Sequence, residues 1–573
     1  WSYGGVVDSL LGPLAAPRSR SAKVEVEDDA ALFARLFDGW NATRAQAPML
    51  TEWGESLRPE DVASTKHHPR PQLQRPGKWV NLNGFWDYRI EDYFASASGN
   101  NNNAAAPAPP TAGDSGYEGK ILVPFAIESA LSGVGKAVGV DKQLVYRRFV
   151  DIPASEGKEG ERYLLHFGAV DWKTWVYVNG RLAGSHEGGY DAFDLDITDH
   201  LRLRPGGSSP QELCVVVWDP TEDGQQPHGK QWQDKASDRL IAPAGMWYTS
   251  VTGIWQTVWL ETVPASVHIE ALELRPDLAS ETLVANVRTR VSRAGVAPFV
   301  RLTALDEDGA VVGSGSGWSS PEGDAIVLRF AEAHGAPKRW SPDSPFLYDL
   351  KVSVHLSGTG EAIDEVESYF AMREVGLGRS APKAAAMAEE AEVGPRFLLN
   401  GEEVFQYGVL DQGWWPDGLY TPPSEEALAS DILKAKDFGF NLIRKHAKVE
   451  PDRFYHLCDK LGMLVWQDMP SASGMKYMWS PDGAHDYMEG EKAPPLASSF
   501  VRELQGVVRG LRNHPSIVAW IPFNEGWGQF DSAAIFEWLA RADPDRMHWV
   551  SGGNDFGLGH ALDRHVYPGP ASV

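Results

Sequence analysis

A multidomain β plus α/β fold is predicted, two β-sandwiches followed by a (β/α)₈-type barrel, and three observations carry that prediction. The chain has 573 residues, room for roughly three or four domains at about 150 residues each. From Pro69 to about residue 380, short segments with period-two alternation are separated by turn residues, the pattern of sandwich strands. After Pro395 the periodicity changes to strand, helix, strand. There the apolar run Ile517-Val518-Ala519-Trp520-Ile521-Pro522-Phe523 is too short for a helix and reads as a strand buried on both faces.

That run organises the chain because of the turn in which it ends. Asn524-Glu525-Gly526-Trp527-Gly528 is polar and glycine-rich and carries one carboxylic acid. A carboxylate at the carboxyl end of a parallel strand stands where barrel enzymes keep their chemistry. Asn524 can bind a sugar hydroxyl, and Trp527 offers a flat face to a pyranose ring. The plainer alternative is that Glu525 only begins a solvated loop.

In chain order, residues 1–66 read as an irregular lead-in, with a helix-like stripe of Leu32, Phe33, Leu36, Phe37 and Trp40. Residues 67–264 form the first sandwich. Its strands include Tyr163–Phe167, Thr174–Val178, Leu213–Trp218 and Trp255–Leu260, and Asn179-Gly180 supplies a type I′ hairpin turn. The low-complexity stretch Ser96–Gly116 reads as a disordered loop inserted there. Residues 265–394 hold an all-β block of immunoglobulin-like size plus a linker, with period-two strands at Leu283–Val291 and Tyr348–Val354. Residues 395–573 give six barrel strands, starting at Val404, Asn441, Met463, Ile517, Met547 and His565. A helix capped by Ser424 and stopped at Gly439 lies between the first two, and one from Ser498 to Asn513 carries a packing stripe.

Composition excludes several classes. A formal charge of −25 argues against nucleic acid or an anionic membrane as partner. No run approaches the roughly 18 apolar residues of a membrane span. Two distant cysteines, Cys214 and Cys458, are expected as buried free thiols. The 22 tryptophans suit both core and carbohydrate surfaces. The chain opens at Trp1, so an N-terminal piece is expected to be missing. The sequon Asn41-Ala42-Thr43 weakly favours a secretory, extracellular or vacuolar/lysosomal route, with the compartment left open.

Taken together, these stretches resemble the family 2 glycoside hydrolases, which include β-galactosidases, β-glucuronidases and β-mannosidases. The resemblance rests on Trp79-Val80-Asn81-Leu82-Asn83-Gly84 and Gly188-Gly189-Tyr190-Asp191-Ala192-Phe193 in the first domain. Trp340–Tyr348 carries it in the second, and Asn441–His446 with Asn524-Glu525 in the barrel. It implies a jelly-roll-like sugar-binding domain, an immunoglobulin-like sandwich and a TIM barrel acting on β-linked glycosides.

The resemblance also implies roles. Glycosidic cleavage needs a protonated carboxyl at the leaving oxygen and a second carboxylate at the anomeric carbon. Glu525 matches the acid/base, in an apolar setting that Trp520, Phe523 and Trp527 are expected to help build. Asn524 matches the 2-hydroxyl contact, and Arg444 the cation near the nucleophile. His446 and Asp411 are expected sugar contacts at strand ends two and one, and Tyr567 a donor to the nucleophile. Trp414, Trp415, Trp466 and Trp527 are candidate ring platforms. No metal and no cofactor are expected.

Two departures stand out. Gly245 precedes Met246-Trp247 where family galactosidases carry an acid, so a galactosidase assignment is not supported. The family nucleophile follows a seventh strand, so it is expected beyond Val573, with the barrel completed by a further segment or a homo-oligomer and this chain alone inactive. Asp468 and Asp555 are the other strand-end acids considered for that role. The polar, aromatic stretch Gln225–Tyr248 has the length to reach from the first sandwich to the barrel mouth, the alternative being a loop that only covers its own sandwich. The alternatives are a catalytically inactive carbohydrate-binding or structural protein that keeps the fold, or an interaction scaffold.

Overall fold

In the computed structural model, the described residues are 40–41, 43–44, 49–93, 106–107, 116–153, 160–202, 208–233, 245–292, 297–356, 360–378, 394–471, 494–552, 557–563 and 565. The stripe from Leu32 to Phe37, most of Ser96–Gly116, and Asp555 and Tyr567 lie outside them.

The first sandwich pairs a four-stranded with a six-stranded antiparallel sheet. The longest ladder joins Lys142–Pro153 to Ser208–Trp218 and then to Lys173–Val178. Inward residues such as Trp86, Leu165, Val176 and Val215 fill the space between the sheets. Asn179 and Gly180 both adopt positive φ, 53° and 77°, and turn Lys173–Val178 into Arg181–Glu187 as a primed hairpin requires. The second β block is a seven-stranded antiparallel sheet from Val267 to Phe370 around Leu283, Val300, Leu350 and Val352. Cys214 and Cys458 are buried free thiols.

The C-terminal part holds five parallel strands in sequential order: β1 (Gly408–Asp411), β2 (Leu442–Lys445), β3 (Leu464–Asp468), β4 (Ile517–Ile521) and β5 (Met547–His548). Helices α1 (Glu425–Asp437), α2 (Asp452–Leu461), α3 (Pro494–Leu511) and α4 (Ser532–Ala542) cover the outer face. Ser424 caps α1 by accepting from the Ala427 N–H at 3.2 Å, and Gly439 ends the turn at φ 87°.

Pairing register decides which side chains face inward. Leu410, Arg444 and Trp466 stand opposite one another on the inner face, whereas Asp411 and Lys445 share the helix side. Trp520 is opposite Gln467 on that outer side, and its indole N–H donates to Asp543 at 2.9 Å.

The structure corrects two sequence expectations and leaves a third outside the described residues. β1 begins at Gly408 rather than Val404, because Phe405 and Tyr407 are exposed and only the later residues find a partner in β2. The fifth strand is two residues long. Of the expected sixth strand only His565 is among the described residues, and Val566 and Tyr567 lie outside them.

Both sandwiches dock on the barrel. Trp340 and Tyr369 of the second donate to the Asp459 carbonyl at 2.8 Å and to its carboxylate at 2.7 Å. In the first, the Gly189 N–H donates to Glu503 of α3 at 2.9 Å, and the Thr421 hydroxyl reaches the Pro124 and Trp255 carbonyls at 2.9 and 2.6 Å.

Candidate active site

β4 is apolar throughout because both its faces are covered, and the chain can turn polar only once it leaves the sheet at Pro522. Asn524 then bridges to Ser551 beyond β5. The next N–H, that of Glu525, donates to the Ser551 carbonyl at 2.7 Å. Glu525 takes a left-handed backbone conformation, φ 51°, an uncommon choice for a non-glycine residue. Held this way, it stands past the carboxyl end of β4, the edge on which barrel chemistry is built. Its side chain is about a quarter exposed, and Oε1 sits 2.8 Å from His565 Nδ1.

Beside it lies a closed charge network. Arg444, on the inner face at the end of β2, donates to both oxygens of Asp468 at 3.0 and 2.8 Å. A third donation, at 2.8 Å, goes to Asn524 Oδ1. Because a guanidinium only donates, that contact fixes the Asn524 amide with its oxygen toward Arg444 and leaves the NH₂ group for another acceptor. His446 Nδ1 lies 2.5 Å from Asp468 Oδ2. Burial opposes the charge on Asp468, but Arg444 and His446 outweigh it and hold the carboxyl below its ordinary range. The same balance acts in reverse on Arg444: burial opposes its charge, and Asp468, with Asp563 and Glu525, raises its pKa.

The sequence therefore brings Glu525, Asn524, Arg444 and His446 together. Asp411 is a different matter. On the helix side of β1 it accepts from Lys445 Nζ and the Gly413 N–H, at 2.7 and 2.8 Å, and Lys445 is also held by Glu450 at 2.7 Å. The expected sugar contact at Asp411 thus becomes a structural ion pair. Trp520 and Phe523 do not build the setting of Glu525. Trp520 points to the helix layer, and Phe523 stacks on Phe500 of α3 at 5.4 Å. Trp415 is buried against Trp53. Trp466 packs edge-on to Trp549 and donates to Gln406 at 2.6 Å. Trp527 and Trp414 do stand at the mouth, where each is stacked by a residue of the first sandwich. Trp247 lies on Trp527 at 5.7 Å, and Tyr248 on Trp414 at 4.7 Å.

The described ends of the Gln225–Tyr248 stretch, residues 225–233 and 245–248, thus reach the barrel. Its His228 and Gly229 N–H groups both donate to the Ser471 carbonyl, three residues past β3, at 3.1 and 3.2 Å. Three participants were not singled out from the sequence: Lys230, which feels the charges of Glu525, Arg444 and Asp468, and His565 with its neighbour Asp563. Contacts that join separate strand ends leave no local spacing to find them by. Among the described residues no group of three or more His, Cys, Asp or Glu side chains could hold a metal ion.

Comparison with known proteins agrees with this architecture. Residues 267–373 match the family described as Glycosyl hydrolases family 2, and residues 396–563 match Glycosyl hydrolases family 2, TIM barrel domain. A beta-galactosidase of Thermoanaerobacter pseudethanolicus is 25% identical over 391 residues, 67% of this chain and 45% of the relative. A mannosylglycoprotein endo-beta-mannosidase of Lilium longiflorum is 26% identical over 64% of this chain and 39% of its own length. The chain therefore spans less than half the length of these curated relatives. Among solved structures, a beta-D-glucuronidase of Dictyoglomus thermophilum superposes with a TM-score of 0.60 at 19% identity, covering 83% of this chain and 73% of that one. A beta-glycosidase of Bacteroides vulgatus gives 0.60 at 20% identity, over 83% and 54%. The seven-stranded sheet and the barrel, residues 267–373 and 396–563, are thus domains of glycoside hydrolase family 2, and the sandwich precedes them in the order that the solved structures share.

Proposed function

We propose that the barrel mouth binds a β-linked glycoside and that Glu525 is the acid/base of a retaining O-glycosyl hydrolase. The observation that supports this best is Glu525 fixed past the end of β4, beside an Asn524 amide whose NH₂ group is left free by Arg444. Glu525 would protonate the glycosidic oxygen as the bond to the anomeric carbon breaks, then take a proton from the water that releases the sugar. Asn524 would donate to a ring hydroxyl, a contact that strengthens as positive charge grows at the anomeric carbon. The His565 imidazole, on Oε1, orients the carboxyl so that the other oxygen faces the substrate.

Retention needs a second carboxylate about 5–5.5 Å away. Asp468 does not offer itself, because Arg444 and His446 occupy both its oxygens. Asp411 faces the helix side.

The test is Glu525→Gln in the full-length protein, assayed on alkyl and on activated aryl β-glycosides. Hydrolysis of the alkyl substrates should fall about 100-fold or more, the scale of general acid catalysis, and the first step on activated aryl substrates much less. Equal losses on both would overturn the acid role. Binding of glycosides with no turnover by the wild type would instead establish a carbohydrate-binding protein that keeps the fold.

A further inference from the structure

We propose that Trp247 of the first sandwich is a positioning residue for Glu525: stacked on Trp527, it holds the tip of the turn that carries the acid. This rests on the acid/base reading above and adds the contact between domains that sets where the acid stands.

The turn leaves the barrel and returns to it on one anchor. Phe523 before it and Phe530 after it both pack on Phe500 of α3, each with ring centroids 5.4 Å apart. Between them the backbone is tied at two points, the Glu525 N–H to the Ser551 carbonyl at 2.7 Å and the Trp527 N–H to the Asn524 carbonyl at 2.8 Å. Gly526 and Gly528 flank Trp527 in the left-handed region, at φ 72° and 64°. Glycine enters that region without strain but has no side chain to pack. Glu525 sits there too, at 51°, a conformation that persists only where its surroundings hold it. Trp527 is the one apolar side chain between Phe523 and Phe530, and it is 8% exposed.

The ring that lies on Trp527 comes from the other domain. The Trp247 indole stands 5.7 Å from it between centroids, with 22° between the planes. Carbon atoms in contact stand about 3.5–4 Å apart, so a pyranose between the two indoles would need roughly 7–8 Å. No sugar fits there, and the pair is a clasp rather than a ring platform. Trp247 is itself held. The next residue, Tyr248, stacks on Trp414 of the barrel at 4.7 Å and 10°, and its N–H donates to the Lys230 carbonyl at 3.0 Å. Beside Lys230, Gly229 approaches so closely that a Cβ there would lie 2.4 Å from the Ala447 carbonyl oxygen, which only glycine allows. The clasp therefore joins the tip of the acid's turn to a segment already docked on the barrel. A misplacement of about 1 Å at a reacting group costs on the order of 100-fold in rate, so a residue that touches no substrate atom still bears on the chemistry.

The experiment reads the turn directly, by hydrogen exchange of the full-length protein followed by mass spectrometry, and needs no turnover. In Trp247→Ala the peptide spanning residues 523–530 should exchange about 3- to 10-fold faster, the scale of one aromatic pair. Peptides of β2 and β3 should be unchanged, which checks that the barrel is folded. Where alanine loosens those peptides too, Trp247→Leu is read in its place. Trp247→Phe keeps a flat ring and should stay close to the wild type. Kinetics on alkyl and activated aryl β-glycosides then read the acid. Trp247→Ala should lower kcat on the alkyl substrates about 10-fold or more and much less on the aryl ones, with KM kept within about two-fold. Trp247→Phe should restore most of the rate.

Unchanged exchange across residues 523–530 overturns the inference. So does a loss carried by KM alone on both substrate classes, the mark of a ring that touches the substrate. Faster exchange with alkyl hydrolysis intact overturns it as well, and leaves the acid reading standing if Glu525→Gln still loses that activity. Faster exchange in a protein that hydrolyses nothing upholds the clasp and overturns the acid reading.

Discussion

Two groups of buried carboxylates carry opposite protonation preferences. At the barrel mouth, Asp468 is fully buried yet held ionised, because Arg444 grips both oxygens and His446 adds a third contact. Along the seam between the first sandwich and α3, Asp171, Glu503 and Glu128 are equally buried and face other acids instead. Burial, then Asp219, raises the pKa of Asp171, and burial, then Asp191, raises that of Glu503. One oxygen of each, Asp171 Oδ1 and Glu503 Oε1, finds no hydrogen-bond partner among the described residues. The lesson is that depth alone does not set charge. Where a cation was brought in from a neighbouring strand end, the carboxylate stays charged; where no cation pairs with it and burial is joined by other acids, the proton is favoured.

The sharpest way to break this contrast is to remove the cation. Arg444→Met leaves Asp468 buried with only the His446 contact, and loss of one partner of a buried pair costs about 3–5 kcal/mol. Urea unfolding of the variant should show a midpoint lowered accordingly, and activity should vanish with the anchor of Asn524. Arg444→Met with Asp468→Asn should recover much of the stability and none of the activity. If the single variant unfolds like the wild type, Asp468 does not depend on Arg444 for its charge.

The two regions also differ in how legible they were. Strand-end residues declare themselves one at a time: the apolar run of β4 ending in Asn524-Glu525, and the β2 sequence ending in Arg444 and His446, point to a site because period and position are local properties. Even there, which face a residue takes depends on register across strands. That is why Asp411 reads as a sugar contact but pairs with Lys445, and why Trp520 turns to Asp543. Phe405 and Tyr407 look like strand residues by composition, yet β1 starts only where β2 supplies hydrogen bonds. The seam acids left no local signal at all. Asp171 and Glu503 are 332 positions apart in the sequence and meet only because Gly188-Gly189 lets the sandwich approach α3. The reach of the Gln225–Tyr248 stretch to the barrel was suggested by its length and aromatic content, but Lys230 near its start was not.

A smaller effect tests the seam. Burial pushes the Glu128 carboxyl from its ordinary 4.5 up to about 8, against the opposing hydrogen bond from the Thr252 N–H at 3.0 Å. A folded-state pKa above the unfolded one means that the folded protein binds the extra proton. Its contribution is whole below about pH 4.5 and is lost as pH rises toward about 8. Glu128→Gln should therefore flatten the decline of the urea midpoint across that window and change little below it. An unchanged slope would show that Glu128 is already ionised in the folded protein.

The smallest effect comes from a pair that should hardly matter. Arg541 and Glu537 lie one turn apart on α4 and form an ion pair, with side chains 65% and 70% exposed. The atoms in contact are of the same kinds as in the Arg444–Asp468 pair, but water and salt screen both charges and remain ready to solvate either alone. Arg541→Ala should cost only about 0.3–0.5 kcal/mol, the range of exposed pairs at this helical spacing, and less in high salt. Placed beside Arg444→Met, this variant separates the two sources of an ion pair's apparent worth. If attraction between the charges dominated, the two losses would be similar. If the cost lies in leaving one charge buried alone, the Arg444 variant should lose several times more, and added salt should erase only the Arg541 effect. A loss at Arg541 approaching that at Arg444 would mean that burial is not what makes Asp468 depend on its cation.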